Sequence, residues 1–125
     1  MAHRSRLAGF IIDCQDLPAA DGARFWAAAL GLSAQPAYAE DEAEYAELSG
    51  APAGLHVEVQ RVSHPSRVHL DIESDDIDAE ADRLQRLGAR RIAFVKRWWV
   101  MEAPSGHRFC IVRMRKGDAP ANEWP

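Results

Sequence analysis

Cysteine is scarce in this chain: Cys14 and Cys110 are the only two in 125 residues. Two thiols make no disulfide framework. Their strand phases differ as well, Cys14 falling with Phe10 and Ile12 and Cys110 with Arg108. Free thiols and a cytoplasmic location are therefore the expectation. Long apolar runs are missing too. No stretch reaches the roughly 18 apolar residues a membrane-spanning helix needs, so no membrane partner is expected. The opening Met1-Ala2-His3-Arg4-Ser5-Arg6 carries charge without a long apolar stretch behind it, so no secretory signal is expected either. Basic charge is not in excess. Fifteen Lys and Arg face nineteen Asp and Glu, a net −4, which argues against a nucleic acid gripped by its phosphates. A glycine-rich phosphate loop, a serine-centred elbow and a Cys-x-x-Cys pair are all absent.

What is present is enough for a packed interior: 47% of the residues are hydrophobic. The length suits one compact domain, or two small halves sharing a core. Residues 7–14 alternate as a strand, with Phe10, Ile12 and Cys14 on one face and Gly9, Ile11 and Asp13 on the other. Asp16-Leu17-Pro18 reads as a helix entry, with Asp16 as the capping acid. Phe25, Trp26, Ala29 and Leu30 are spaced as an apolar stripe, and Gly31 stops the helix. Strands are predicted over 32–37, 44–48 and 55–62, with a turn at Glu40-Asp41-Glu42 and a loop over 50–54.

After the linker Ser63-His64-Pro65-Ser66 the order repeats. A strand covers 68–73 and a helix 76–87, with Gly88 as its stop. In that helix Ile77, Ala81, Leu84 and Leu87 form the inner stripe, while Asp78, Glu80, Asp82 and Arg83 face out. Strands follow over 91–94, 98–102 and 108–114, and a loose tail over 117–125, from which Trp124 could dock nearby. The reading is α+β: two tandem βαβββ modules, residues 7–62 and 67–114, forming a curved mixed sheet around a central cleft. Helices cover one sheet face and the other lines the cleft. Apolar edges and helix flanks leave room for a homodimer.

The pattern resembles the vicinal oxygen chelate superfamily, which holds glyoxalase I, extradiol dioxygenases and bleomycin-binding resistance proteins. Asp16-Leu17 before Phe25-Trp26, Leu30-Gly31-Leu32, His69-Leu70-Asp71, Leu87-Gly88-Ala89 and the run from Pro104 to Cys110 carry the likeness. Phe25 to Gly31, Val68 to Asp71 and Phe109 to Val112 look more narrowly like its glyoxalase-like domain group. In metal-using members four ligands come from the first and last strands of each half. The resemblance places them here at Gly9, Glu58, His69 and Cys110, where Gly9 has no side chain to offer and Cys110 replaces the usual Glu.

His56 lies two residues before Glu58, so the two share a face. His56, Glu58, His69 and Cys110 form the candidate set for a divalent Zn, Fe, Ni or Mn, and imidazole, carboxylate and thiolate suit Zn or Fe better than Mg. With half the inherited positions gone, the expectation is that no metal is tightly bound, one divalent ion being the alternative. Asp13, Gln60, Asp71, Glu73, Trp98, Trp99 and Arg108 are the candidate ligand-binding residues of the cleft. Asp71 and Glu73 are placed for acid–base work, and one of the two tryptophans for an aromatic wall. Lys96 and Arg97 could meet an anionic substrate; His64 and His107 are given no chemistry. The favoured function is binding of a small organic molecule, with lyase or isomerase chemistry open. The alternatives are a drug- or toxin-sequestering protein and a metal-dependent dioxygenase or lyase.

Overall fold

The computed structural model describes residues 2–117 and 119–125. Met1 and Asp118, which belong to the first residues and to the tail read from the sequence, lie outside the described residues. The elements run β1 (His3–Gln15), α1 (Ala19–Leu30), β2 (Ser33–Ala34), β3 (Tyr38–Glu40), β4 (Ala43–Ser49), β5 (His56–Val62), β6 (Arg67–Ser74), α2 (Ile77–Arg86), β7 (Arg90–Val95), β8 (Trp98–Glu102), β9 (Arg108–Arg113) and β10 (Asn122–Trp124). The fold is α+β. Neither helix is long and apolar enough to cross a membrane. The chain divides into two compact units, Gly9–His69 and Met1–Ala8 with Leu70–Pro125, so β1 and β6 each contribute to both.

Within Gly9–His69 the strand order is β2-β4-β5-β1. The first and last strands, β1 and β5, run parallel, with Gly9 opposite His56 and Asp13 opposite Gln60. A helical crossover is what makes a parallel neighbour possible. The core beneath α1 holds Ile12, Cys14, Ala46, Leu48, Val57 and Val59 from the sheet and Ala19, Ala23 and Ala27 from the helix. That corrects the expected stripe: Phe25 and Leu30 are 62% and 47% exposed. Small residues at four-residue spacing let the helix lie close on a sheet face already filled by Leu48, Val57 and Val59. Gly22 extends the contact, since a Cβ there would stand 3.0 Å from Val59 and 3.1 Å from Cys14. Trp26 packs on the edge of this core, and Phe25 meets it edge-to-face at 5.0 Å.

Two local readings also change. Asp16 is not the cap of α1; it turns the chain at φ 53 and its N–H bonds Val62 O. The helix starts at Pro18 without a side-chain cap of its own. Glu44 on β4 takes that role from a distance, accepting the Ala19 N–H at 3.2 Å. This bond, helped by Arg61, holds the Glu44 carboxyl below its ordinary pKa against the opposing pull of desolvation. Gly31 closes the helix in the left-handed conformation, as expected. The strand expected over 32–37 is only the short β2, because Tyr38–Glu40 pairs with β4 as a separate hairpin.

In the other unit the order is β6-β9-β8-β7, again with the first and last strands of the βαβββ unit parallel. Asp76 caps α2 by accepting the Ala79 N–H at 3.0 Å. Ile77 and Ala81 of α2 pack on Met101, Phe109 and Ile111, with Leu84 at the margin. Leu87, expected in this stripe, is 66% exposed, while Glu80, expected outside, is 0% exposed. Glu80 accepts two hydrogen bonds from Arg83 and one from His3, all at 2.8 Å. The end of the tail is ordered rather than loose: β10 pairs antiparallel with His3–Ser5. Trp124 donates to Ser5 Oγ at 2.8 Å, and the Arg83 guanidinium lies 3.8 Å from its ring centroid.

Candidate functional site

Strand register decides which side chains meet. In Gly9–His69, the face away from α1 carries Ile11 and Asp13 of β1, His56, Glu58 and Gln60 of β5, and Tyr45 and Glu47 of β4. Parallel pairing of the first and last strands sets β1 and β5 side by side, so a polar residue on either one faces into the same strip. Asp13 is 2% exposed. Its Oδ2 accepts a hydrogen bond from His69 Nδ1 at 2.8 Å. Its Oδ1 is buried and has no hydrogen-bond partner among the described residues. Arg67 Nε and His64 Nε2 stand 3.7 and 4.0 Å from Oδ2.

The Asp13 bond fixes the His69 ring. With Nδ1 committed to the carboxylate, the neutral imidazole carries its proton there, and any proton transfer or ligation by the ring falls to Nε2. A buried carboxylate behind an imidazole is the arrangement by which a general base is held in one tautomer, and by which a metal-ligating histidine is oriented.

His56 and Glu58 form a second pair, 2.9 Å apart through Nε2. Glu47 approaches the other ring nitrogen at 3.9 Å. Carboxylates thus flank the ring on both edges. The first-strand place explains itself as well. A Cβ at Gly9 would fall 1.8 Å from the His56 carbonyl oxygen, so the β5 backbone occupies the space a ligand side chain would need. Tyr38, outside the strand expected from the sequence, stacks on Tyr45 at 5.5 Å and bonds Glu58 at 3.5 Å. Burial first, and the Glu58 charge next, push its phenol up to about 12. Gln60 lies in register between Asp13 and Tyr45.

In the unit containing Leu70–Pro125, Asp71 and Glu73 face away from α2 and are 5% and 4% exposed. Glu73 pairs with Arg6 at 2.9 Å, a partner that lay just outside the strand predicted from residue 7. Asp71 is in register with Cys110, and His69 precedes Asp71 by two residues on the same strand. Arg108 bonds Glu102 at 3.2 Å, and Arg90 holds the other oxygen of that carboxylate. Trp98 alternates onto this face with Val100, and the cationic groups of Lys96 and Arg97 each lie 5.9 Å from its ring centroid. Trp99 corrects the expectation. It is in register with Ile111 on the helix-covered face, packs on that core and donates to Asp78 at 2.9 Å. The sequence reading missed Arg6, Tyr38, Arg67 and His64 as partners; the last two lay in or beside what read as a linker.

A family model described as glyoxalase-like domain matches residues 9–112. No curated protein matches the sequence. Among solved structures, a hypothetical protein from Bacillus halodurans C-125 superimposes with a TM-score of 0.66 at 12% identity, over 93% of this chain and 99% of that one. Methylmalonyl-CoA epimerase from Mycobacterium tuberculosis gives 0.64 at 14% identity, over 88% of each chain. A variant of Streptomyces coelicolor methylmalonyl-CoA epimerase in complex with 2-nitronate-propionyl-CoA gives 0.60 at 18% identity, over 89% of this chain and 98% of that one. At these identities the likeness is one of fold.

Proposed function

The chain belongs to the glyoxalase-like domain family of the vicinal oxygen chelate superfamily, and from that premise we propose that it binds a small organic molecule and moves a proton on it. The observation that carries this reading is the buried Asp13 bonded to His69 at 2.8 Å. His69 Nε2 is the base, and Asp13 is the positioning residue that holds its tautomer. Abstraction of a proton beside a carbonyl, followed by its return, is the isomerase or lyase step such a pair supports. The epimerases of like fold are named for a CoA thioester, which makes thioesters the first compounds to offer.

The test is solvent deuterium incorporation into methylmalonyl-CoA and a small panel of other CoA thioesters. Wild type should exchange the proton beside the thioester carbonyl of at least one compound. His69→Ala should bind that compound and lose exchange. Asp13→Asn should slow exchange and displace its pH profile, which a purely structural role would not do. Binding without exchange by wild type would refute proton transfer and support the sequestering alternative.

A metal reading is favoured by one observation: donors of three kinds follow one another along β6 and its parallel neighbour, His69, Asp71 and Cys110. Imidazole, carboxylate and thiolate suit Zn or Fe, which would supply Lewis acidity to a bound oxygen. Asp13 behind His69 would then orient a ligand instead of a base. Elemental analysis of protein purified without chelators, beside His69→Ala, tests it. About one equivalent in wild type and none in the variant supports this reading, and none in either removes it.

A further inference from the structure

The unit Gly9–His69 carries nine acidic residues against three arginines. Two of those arginines are spent on carboxylates: Arg24 bonds Asp21 at 3.2 Å and Arg61 bonds Glu44 at 3.1 Å. Arg67 differs. Its approach to Asp13, at 3.7 Å, is beyond hydrogen-bond length, so the guanidinium is attracted to that charge without giving it a hydrogen bond. The contact Arg67 does make is to an imidazole, from Nη2 to His64 Nε2 at 3.4 Å. His64 Nδ1 donates to the Pro65 carbonyl at 2.8 Å, which leaves Nε2 as the acceptor in the neutral ring.

The segment bearing these groups is held in place. Ser66 Oγ accepts the Gln15 N–H at 2.9 Å, and the Gln15 amide donates to Ser63 O at 3.2 Å. His64 and Arg67 therefore stand fixed beside the Asp13–His69 pair, with side chains 39% and 45% exposed against 12% for His69. In a strongly acidic unit, Arg67 and His64 place basic groups at the open edge of the Asp13–His69 pair.

We infer that Arg67, with His64 beside it, is the anion-recognising edge of the His69 site, and that the compound taken there bears a carboxylate or a phosphate. A planar guanidinium not already hydrogen-bonded to a carboxylate presents paired N–H donors to such a group. The inference rests on His69 being the ligand site, but not on its moving a proton.

The test is NMR titration of the histidine ring signals with malonate, inorganic phosphate and neutral malonamide at constant ionic strength. Saturable shifts of His64 and His69 with malonate or phosphate are expected, and the tighter anion assigns the class. Arg67→Gln should weaken that binding about tenfold or more, while Arg61→Gln, equally exposed, should match wild type. No saturable shift with either anion, equal binding by Arg67→Gln, or equal shifts with malonamide would overturn the inference. Lack of deuterium exchange alongside intact anion binding would remove the proton-transfer reading and leave this one standing.

Discussion

Removal of the Glu80 carboxylate should be among the most damaging single changes in the protein. Glu80 is 0% exposed and accepts from Arg83 Nε, Arg83 Nη2 and His3 Nε2, each at 2.8 Å. Hydrogen bonds to a charged group contribute about 1.5–3 kcal/mol each, and breaking a buried ion pair from one side costs about 3–5 kcal/mol. Arg83 keeps 20% of its side chain in water and its contact with Trp124, so it recovers part of its solvation. The expected loss for Glu80→Ala is therefore about 3–4 kcal/mol, and about 2 kcal/mol for Glu80→Gln, which keeps the shape and one acceptor. Urea unfolding followed by circular dichroism measures both. Acid supplies a second check. Burial alone would raise the Glu80 pKa, but the bonds from Arg83, His3 and Ser5 outweigh it and hold the carboxyl below its ordinary value. A lowered folded-state pKa stabilises fully above the ordinary glutamate value and loses that contribution as pH falls through the folded one. The gap between wild type and variant should narrow below about pH 4. A Glu80→Ala variant within about 0.5 kcal/mol of wild type near neutrality, or a gap indifferent to acid, would refute the reasoning.

Other expectations follow from the same contacts. Gly9→Ala should prevent normal β1–β5 pairing, because its Cβ would meet the His56 carbonyl oxygen at 1.8 Å; soluble yield and amide hydrogen exchange of β5 report it, and a stable variant with native exchange would contradict it. Tyr38 should ionise near 12, and Glu58→Gln should bring that value down, as followed by ultraviolet absorbance of the phenolate. Because the folded value is raised, its stabilising contribution is complete below the ordinary tyrosine value near 10 and disappears as pH rises toward 12. Trp124→Ala should free the β10 strand and cost about 1–3 kcal/mol, with faster amide exchange at His3–Ser5 as its local sign.

The period-two alternation of 10–14, 55–62, 68–73 and 108–112 was enough to sort side chains onto the two faces of the sheet. Asp13, Glu58, Asp71 and Cys110 fall where that alternation puts them, away from the helices. What it could not show was partnership across the chain. Nothing near Glu80 announces that His3, 77 residues away, will cover it. A helical wheel ranks Phe25 and Leu30 as core because they are large; the sheet under α1 was already filled by large residues, and only alanines fit between. Asp16 had the look of a cap, but its backbone was needed for the turn to Val62. Arg67 and His64 lay beside a proline in what read as a connector, and only the pairing of Gln15 with Ser63 and Ser66 brings them to Asp13.

The most direct test of the site is the tautomer of His69, read from two-bond proton–nitrogen correlations in the labelled protein. The neutral ring should carry its proton on Nδ1, bonded to Asp13, and Asp13→Ala should abolish this preference. A neutral His69 protonated on Nε2 in wild type would contradict it, since the ring could then neither accept a proton from a ligand nor bind a metal through that nitrogen.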